Sequence, residues 1–441
     1  MGRLRLILPF LAGAGVGGAI ALRMRQPARR TVFPPGPGAV APKGARGIGE
    51  RYATTDVARA DLAVEYAPAT VEHPELLIDG PAFFPRLLDD FRSATSSIHG
   101  NIYGFRPGDI GDEFSEALQE AARRGVEVRL NTDEVQSGPN LTYRAFWAPM
   151  VEAGVQVTSN QGLFLDLDGL VGGTLRLDPR LDDFGHFLHE KAFVVDGRIG
   201  WLGGMGIEDH FNDGEFSDIM VRFEGEAVSQ LQSIILGTFR HQGGPLPTDA
   251  ASLARWYPKV PRPSEDAVRA TILRNVPGEG FHQNSQAHLA LVGEAREQLD
   301  VINPYVTEHP VIDGLIAAAE RGVRVRLVIP GKPTPVFMAM ALRNNYGRLL
   351  DAGVTVLEHP VMCHTKVTLA DDRVLLGSCN LDARSLWMNY ELGMFIEDGG
   401  FASQVRSELF EVQAGKSKPV ALVEGREALV NAVVDRFWKL L

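Results

Sequence analysis

The chain is poor in cysteine, since its 441 residues include only Cys363 and Cys379. This excludes a framework of several disulfides, and we expect both thiols to be buried as small apolar groups. No group of His, Cys, Asp or Glu stands out with the spacing of a metal site. We therefore expect chemistry without a metal or another cofactor.

Basic residues are also scarce outside the N-terminus. Residues 1–46 contain eight basic residues and no acidic one, so the remaining chain has 36 basic and 55 acidic residues, a net charge of -19. A protein part with this much negative charge repels the phosphate backbone of a nucleic acid, which makes nucleic acid an unlikely partner. The hydrophobic content of 45% is that of a globular protein, and the length suffices for two domains.

One apolar segment approaches the length of a membrane span. Leu6 to Leu22 is free of charge over 17 residues, roughly 25 Å as a helix. A cleaved signal peptide is the alternative, but arginines on both sides favour an uncleaved anchor with the body in the cytoplasm. We expect a single anchor over residues 1–25 in the cell membrane and a Pro/Gly-rich tether over residues 26–73.

The rest of the sequence contains an internal repeat. The residues RGVEVRL at 124–130 return as RGVRVRL at 321–327, and EAGVQV at 152–157 returns as DAGVTV at 351–356. Strands alternate with helices in each half, which predicts an α/β fold. The predicted units are a first domain (74–242), a linker (243–263) and a second domain (264–441).

Each half also carries a histidine and a lysine two residues apart. Both copies share the order histidine, lysine, aspartate and glycine-led turn: His189, Lys191, Asp196, Gly203 and Gly204 in the first, and His364, Lys366, Asp371 and Gly377 in the second. Residues i and i+2 of a strand share a face, so each histidine and its lysine project together. Two matching copies indicate one composite site, with the aspartates as structural residues of hairpin turns.

These residue types suit transfer at phosphorus. One neutral histidine can attack phosphorus, while the other protonates the leaving alcohol and then deprotonates the incoming one. The two lysines, Ser378 and Asn380 can hold the non-bridging oxygens. Asp218 and Glu391 follow the two turns at similar distances, and we expect them to orient the histidines by accepting an imidazole N–H.

The two HxKx4D motifs resemble those of the phospholipase D superfamily, as do Gly377-Ser378-x-Asn380-x-Asp382-x-Arg384-Ser385 and Asn389-x-Glu391. Within it, the chain is most similar to bacterial cardiolipin synthases, from about residue 76 to residue 397. The resemblance implies two pseudo-twofold-related α/β/α sandwich domains with mixed sheets, whose histidines meet at the interface. It also implies a phosphatidyl group carried by His189, His364 as acid and base, and transfer between two phosphatidylglycerols. The partners would be an anionic phospholipid and the membrane, without an obligatory protein partner.

Three features differ from this family pattern. Gly206 stands where the family commonly has asparagine, and Phe187-Leu188 precede His189 where it tends to have Arg-Asn. An acidic segment from about Gln161 to Gly185 is inserted before His189 and should lie near the site entrance, as a surface loop or a substrate gate. A hydrolase or nuclease of the same chemistry, or a non-catalytic lipid-binding relative, are the alternative hypotheses.

Overall fold

A computed structural model describes residues 62–138, 143–160, 185–247, 249–332 and 335–420. The strands of the first half are β1 (Ala69–Ile78), β2 (Ser97–Ile102), β3 (Glu127–Asp133), β4 (Gln156–Asn160), β5 (Lys191–Val195), β6 (Ile199–Gly203), β7 (Phe216–Ser217) and β8 (Ile219–Glu224). Those of the second half are β9 (Val268–Val276), β10 (Phe281–His282), β11 (Gln298–Ile302), β12 (Arg324–Pro330), β13 (Thr355–His359), β14 (Met362–Cys363), β15 (Val367–Ala370), β16 (Arg373–Gly377), β17 (Glu391–Glu397) and β18 (Lys418–Pro419).

The helices cover both faces of the sheet. They are α1 (Gly80–Ser93), α2 (Asp109–Arg123), α3 (Arg144–Glu152), α4 (Ala227–His241), α5 (Ala250–Trp256), α6 (Gln283–Glu294), α7 (His309–Glu320), α8 (Val336–Arg343), α9 (Tyr346–Asp351), α10 (Ala383–Trp387), α11 (Gly399–Gln404) and α12 (Glu411–Lys416). A π-helical turn, Val405–Phe410, joins α11 to α12. One core cluster packs the central strands against α4 and the C-terminal helices, and two others pack them against α1–α3 and α6–α9.

The strand order is the same in both halves. It runs β1-β8-β6-β5-β2-β3-β4 in the first half and β9-β17-β16-β15-β11-β12-β13-β18 in the second. The trios β2-β3-β4 and β11-β12-β13 are parallel, and the motif hairpins beside them are antiparallel. Because β1 pairs with β9, the two halves form one continuous 16-stranded mixed sheet. The predicted pseudo-twofold α/β architecture is confirmed.

The repeated Arg-Gly-Val segments end a helix and begin a strand in each half. Helix α2 places Ile110, Phe114 and Leu118 on one buried stripe, as its helical spacing requires. Gly125 and Gly322 follow α2 and α7 with φ of 90°, a backbone conformation that ends a helix and favours glycine. The alternating valines after each glycine then enter the buried strands β3 and β12.

The predicted domain boundaries differ from the structure in two places. The first domain begins before residue 74, because Ala69 already pairs with Ala270 of β9 and Tyr66 is buried. The predicted linker contains α5, whose buried Trp256 donates a hydrogen bond to Glu127 at 3.0 Å. The helices within the described residues are too short or too polar to cross a membrane. The predicted anchor, the inserted segment 161–184 and residues 421–441 lie outside the described residues.

The aspartate of each motif lies in its hairpin turn. Asp196 and Asp371 have φ of 52° and 55°, which aspartate tolerates better than most residues. Asp196 accepts the backbone N–H groups of residues 95–97 at 2.7–2.9 Å. Asp371 accepts those of residues 296–298 at 2.9–3.0 Å. Each carboxylate thus ties its hairpin to the start of the neighbouring strand, β2 or β11.

Candidate active site

The segment before each motif histidine pairs through its backbone with a segment of the other half of the molecule. Leu188 forms a parallel bridge with Tyr390, and the N–H of His189 donates to the Tyr390 carbonyl at 3.0 Å. In the second half β14 pairs with β7, and the N–H of His364 donates to the Ser217 carbonyl at 2.7 Å. Each histidine is therefore fixed by backbone pairing beside the carboxylate-bearing segment of the opposite half.

Each histidine is then paired with a carboxylate of the opposite half. His189 Nδ1 lies 2.9 and 3.0 Å from the two carboxylate oxygens of Glu391. His364 Nδ1 lies 2.6 Å from Asp218 Oδ2. Both carboxyl groups are fully buried. When the carboxylate accepts the Nδ1–H, Nε2 carries the lone pair, which is the tautomer that a nucleophile or a base requires. In His364 this atom lies 3.0 Å from Lys366 Nζ.

Both histidines are neutral in the free site. Burial, followed by the charges of Lys191 and Lys366, lowers the pKa of His189 well below its ordinary value. Burial and Lys366 lower the pKa of His364 to about 3. Because each lysine affects the histidine of the other half as well, the four side chains share one electrostatic environment. The structure thus brings the two copies of the motif together.

The two lysines are buried and held by similar contacts. Lys191 Nζ donates to the His189 carbonyl at 2.6 Å, and Lys366 donates to the His364 carbonyl. Lys366 Nζ also lies 3.4 Å from Asp218 Oδ2. Burial lowers the pKa of both ammonium groups, that of Lys191 to about 7. A negatively charged phosphate oxygen beside these ammonium groups would stabilise their charged form and so oppose the effect of burial.

The two carboxyl groups differ in their affinity for a proton. Burial raises the pKa of Glu391 to about 8, against the opposing effects of Lys191 and the Ser378 hydroxyl. Burial also raises the pKa of Asp218, but Lys366 and His364 outweigh it and hold this pKa below the ordinary value. Asp218 is therefore ionised at neutral pH, and the histidine beside it has a permanent negative partner.

The serine and asparagine of the second turn occupy different positions. Ser378 Oγ donates to Glu391 Oε2 at 2.5 Å and accepts the Leu392 N–H at 3.0 Å. Its hydroxyl thus donates to Glu391, and the contact of Ser378 with a phosphate oxygen stays a prediction. The carbonyl oxygen of the Asn380 side chain has no hydrogen-bond partner among the described residues. This oxygen can accept a hydrogen bond from a hydroxyl group, whereas only the NH2 group of the same amide could hold a phosphate oxygen.

Backbone crowding explains the glycines of the first turn. A Cβ at Gly204 would lie 2.4 Å from the Asp218 carboxylate, so the serine of the second copy has no room here. A Cβ at Gly206 would lie 2.7 Å from the Gly104 carbonyl, which excludes the asparagine that the family pattern has there. Gly203 and Gly377 end β6 and β16, where they pair with the neighbouring strands β8 and β17. The two half-sites are therefore unequal.

Two further interactions escaped the sequence analysis. The Tyr103 ring lies 4.6 Å from the ring of His189 and 4.7 Å from Lys191 Nζ. Glu190, between the motif histidine and lysine, forms a buried ion pair with Arg274 of the second half at 2.7 Å. Arg274 does not belong to the repeated segments found in the sequence. Only the fold brings it to Glu190, which is 84 positions away in the chain.

The cysteines and the acidic residues give no second site within the described part of the chain. Cys363 and Cys379 are free and buried as expected, and burial raises the pKa of Cys363 to about 12. Across the described ranges, no three His, Cys, Asp or Glu side chains are placed to hold a metal ion.

Two buried neutral histidines, each with a lysine and a carboxylate on a duplicated α/β fold, define an enzyme of the phospholipase D type. The family described as "Cardiolipin synthase, PLD-like domain" matches residues 87–235 and 289–412, and the chain belongs to this family. Cardiolipin synthase A of Cronobacter sakazakii is 31% identical over 355 residues, which cover 77% of this chain and 68% of that relative. Cardiolipin synthase A of Klebsiella pneumoniae is 29% identical over 371 residues, covering 78% and 72%.

A solved structure with the same fold is the phosphatidylserine synthase of Haemophilus influenzae. It superposes with a TM-score of 0.60 at 13% sequence identity, covering 88% of this chain and 98% of that one. At this identity the similarity shows the shared fold, and the chemistry of the present chain is argued from its own site.

Proposed function

We propose that this enzyme is a cardiolipin synthase, which transfers a phosphatidyl group from one phosphatidylglycerol to another and releases glycerol. The crossed pairs His189–Glu391 and His364–Asp218 carry the proposal, because they place two neutral imidazoles around one cationic centre. The similarity to two cardiolipin synthases supports the choice of substrate.

In the first half-reaction, Nε2 of His189 attacks the phosphorus of the donor lipid. The bond from phosphorus to the glycerol headgroup breaks, and His364 gives a proton to the leaving oxygen. The bound phosphodiester adds negative charge to the site, so His364 takes up this proton from solvent at Nε2 when the donor lipid binds. The ionised Asp218 stabilises the resulting imidazolium, and this favours His364 as the acid.

In the second half-reaction, the neutral His364 takes the proton of the acceptor's glycerol hydroxyl. The hydroxyl oxygen attacks phosphorus, the bond between phosphorus and His189 breaks, and cardiolipin forms. Lys191, Lys366 and Asn380 hold the non-bridging oxygens in both steps. Water in place of the acceptor would give phosphatidic acid, so the acceptor must outcompete water.

We further propose that the enzyme acts at a membrane rich in anionic phospholipid. The charge-free segment Leu6 to Leu22 would anchor it, and the flanking arginines would keep the body in the cytoplasm. The acidic body, with a net charge of -19 beyond residue 46, disfavours nucleic acid as a substrate.

The purified full chain should be incubated with phosphatidylglycerol, with phosphatidylcholine plus ethanol, and with single-stranded DNA, each in the presence of chelator. We expect cardiolipin from phosphatidylglycerol. Phosphatidic acid as the sole product would identify a hydrolase, and DNA cleavage would overturn the lipid assignment. His189→Ala and His364→Ala should each abolish turnover, while His73→Asn at an exposed position should not. A quenched phospho-adduct on His364 would reverse the two roles.

A further inference from the structure

Arg384 lies against the segment that leads into His189. Its guanidinium stacks 4.3 Å above the Phe187 ring, and one N–H donates to the Gly185 carbonyl at 3.0 Å. Phe187 precedes His189 by two residues in an extended segment, so the two side chains share a face at a distance of about 6–7 Å. The guanidinium is thus close to the reacting centre without belonging to it.

This cation has no ion-pair partner among the described residues. The nearby carboxylates accept backbone groups, Asp382 the N–H of Ser385 at 2.9 Å and Asp133 that of Leu188 at 3.0 Å, and they attract the guanidinium without forming an ion pair with it. Burial outweighs this attraction and lowers the pKa of Arg384. Among the described residues, the Arg384 guanidinium donates to one protein acceptor, the Gly185 carbonyl, although it carries five N–H donors. Burying an arginine is unfavourable when no described residue forms an ion pair with it, so an external anion is favoured at this position.

Other cations around the cleft are compensated by the protein. Arg106, which like Arg384 acts on Tyr103, has its Nε 3.0 Å from Glu208 Oε1. His210 takes the place of Arg384 in the first half, since each follows the leading glycine of its turn by seven residues. His210 stacks on Phe216 with 4.2 Å between ring centroids and lies 3.8 Å from Glu208. Within the described part of the chain, the pseudo-twofold therefore leaves a permanent charge without an ion-pair partner on the Arg384 side of the active site.

The proposed reaction brings two phosphodiesters into this cleft. Lys191 and Lys366 compensate the one that reacts, and the donor headgroup is an uncharged glycerol. The second phosphate belongs to the acceptor lipid and is separated from the reacting phosphorus by a three-carbon glycerol bridge, a length comparable with the spacing of Phe187 and His189. We infer that Arg384 binds the phosphate of the acceptor phosphatidylglycerol. This inference rests on the proposed function and adds the residue that selects an anionic lipid over water or a neutral alcohol.

The test is a competition between acceptors for one intermediate. The full-chain enzyme is given vesicles of phosphatidylglycerol with ethanol in the buffer, and cardiolipin, phosphatidylethanol and phosphatidic acid are quantified together. All three products come from the same phosphatidyl-enzyme, so their ratio is independent of donor binding. Arg384→Met keeps the side-chain bulk over Phe187, and Arg384→Lys keeps the charge without the planar fork. The matched control is Arg348→Met, which removes an exposed arginine paired with Asp313.

We expect Arg384→Met to lower the ratio of cardiolipin to phosphatidylethanol by about tenfold or more, as for the loss of a charge-assisted contact. Arg384→Lys should lie between this variant and the wild type, and Arg348→Met should match the wild type. An equal loss of all three products, or an unchanged ratio, would overturn the acceptor assignment while leaving the synthase intact. If Arg384→Met fails to fold, the ratio in Arg384→Lys decides. A wild type that makes phosphatidylethanol but no cardiolipin would instead overturn the proposed function.

Discussion

Replacing Tyr103 by leucine should shift the alkaline limit of activity. The Tyr103 ring contacts the ammonium group of Lys191 and the edge of the His189 imidazole. Burial already lowers the pKa of Lys191 to about 7. The ring face stabilises the charged form of the lysine, and leucine fills much of the same space without offering a π-system.

The magnitude follows from the strength of this contact. A cation–π interaction contributes about 0.5–2 kcal/mol, and about 1.4 kcal/mol corresponds to one pKa unit. The pKa of Lys191 should therefore fall by about 0.4–1.5 units in Tyr103→Leu. Because Lys191 must be charged to hold the phosphate, activity is lost as the pH rises through this pKa. The alkaline limb then moves to lower pH, and kcat/KM at pH 7.5 falls about two- to twenty-fold.

The assay is the pH profile of kcat/KM between pH 5.5 and pH 9, which reports on groups of the free enzyme. Tyr103→Phe keeps the ring and should leave the limb in place. Phe105→Leu removes a buried ring that packs on Trp147, so it should lower the melting temperature without moving the limb. A limb that stays in place in Tyr103→Leu, or that moves equally in Phe105→Leu, would refute the assigned contact.

Two other substitutions test the geometry directly. Gly204→Ala forces a Cβ to within 2.4 Å of the Asp218 carboxylate, so turnover should fall about a hundredfold as acid–base catalysis is lost. Gly293→Ala in α6, where the Cβ meets open space, should raise the melting temperature and leave turnover unchanged. Arg274→Met leaves Glu190 buried without its partner, so urea unfolding should show a loss of about 3–5 kcal/mol. Much of that loss should return in the double variant with Glu190→Gln, and a double variant as unstable as the single one would contradict the buried ion pair.

The local structure of the motifs could be predicted from the sequence because it depends on short-range patterns. The residues that follow Lys366 form an apolar run typical of a buried strand, and β15 covers it as Val367–Ala370. The turns at Asp196 and Asp371, and the helix ends at Gly125 and Gly322, depend on residues that tolerate a positive φ. The repetition of these signals in both halves was sufficient to predict the pseudo-twofold.

The pairing across the two halves could not be predicted in the same way. Asp218 and Glu391 were expected to orient the histidines, but no local signal shows that each serves the histidine of the opposite half. The partners lie 146 and 202 residues apart. The pairing of β1 with β9, which joins the sheets of the two halves, was missed for the same reason. The sequence alone assigns the first residues of β1 to the tether, because their partner strand lies far away in the chain.

The crossed pairs also explain why the site needs both halves. Were each histidine paired within its own half, one half could orient its own nucleophile. In the crossed arrangement, separation of the halves would expose Glu391 and Asp218 to solvent. It would also break the contacts that orient both imidazoles at the same time. The buried Glu190–Arg274 ion pair spans the same interface directly behind the site, so loss of that interface leaves two charges uncompensated. Stability of the interface and orientation of both histidines are therefore coupled, and partial opening should abolish both half-reactions together.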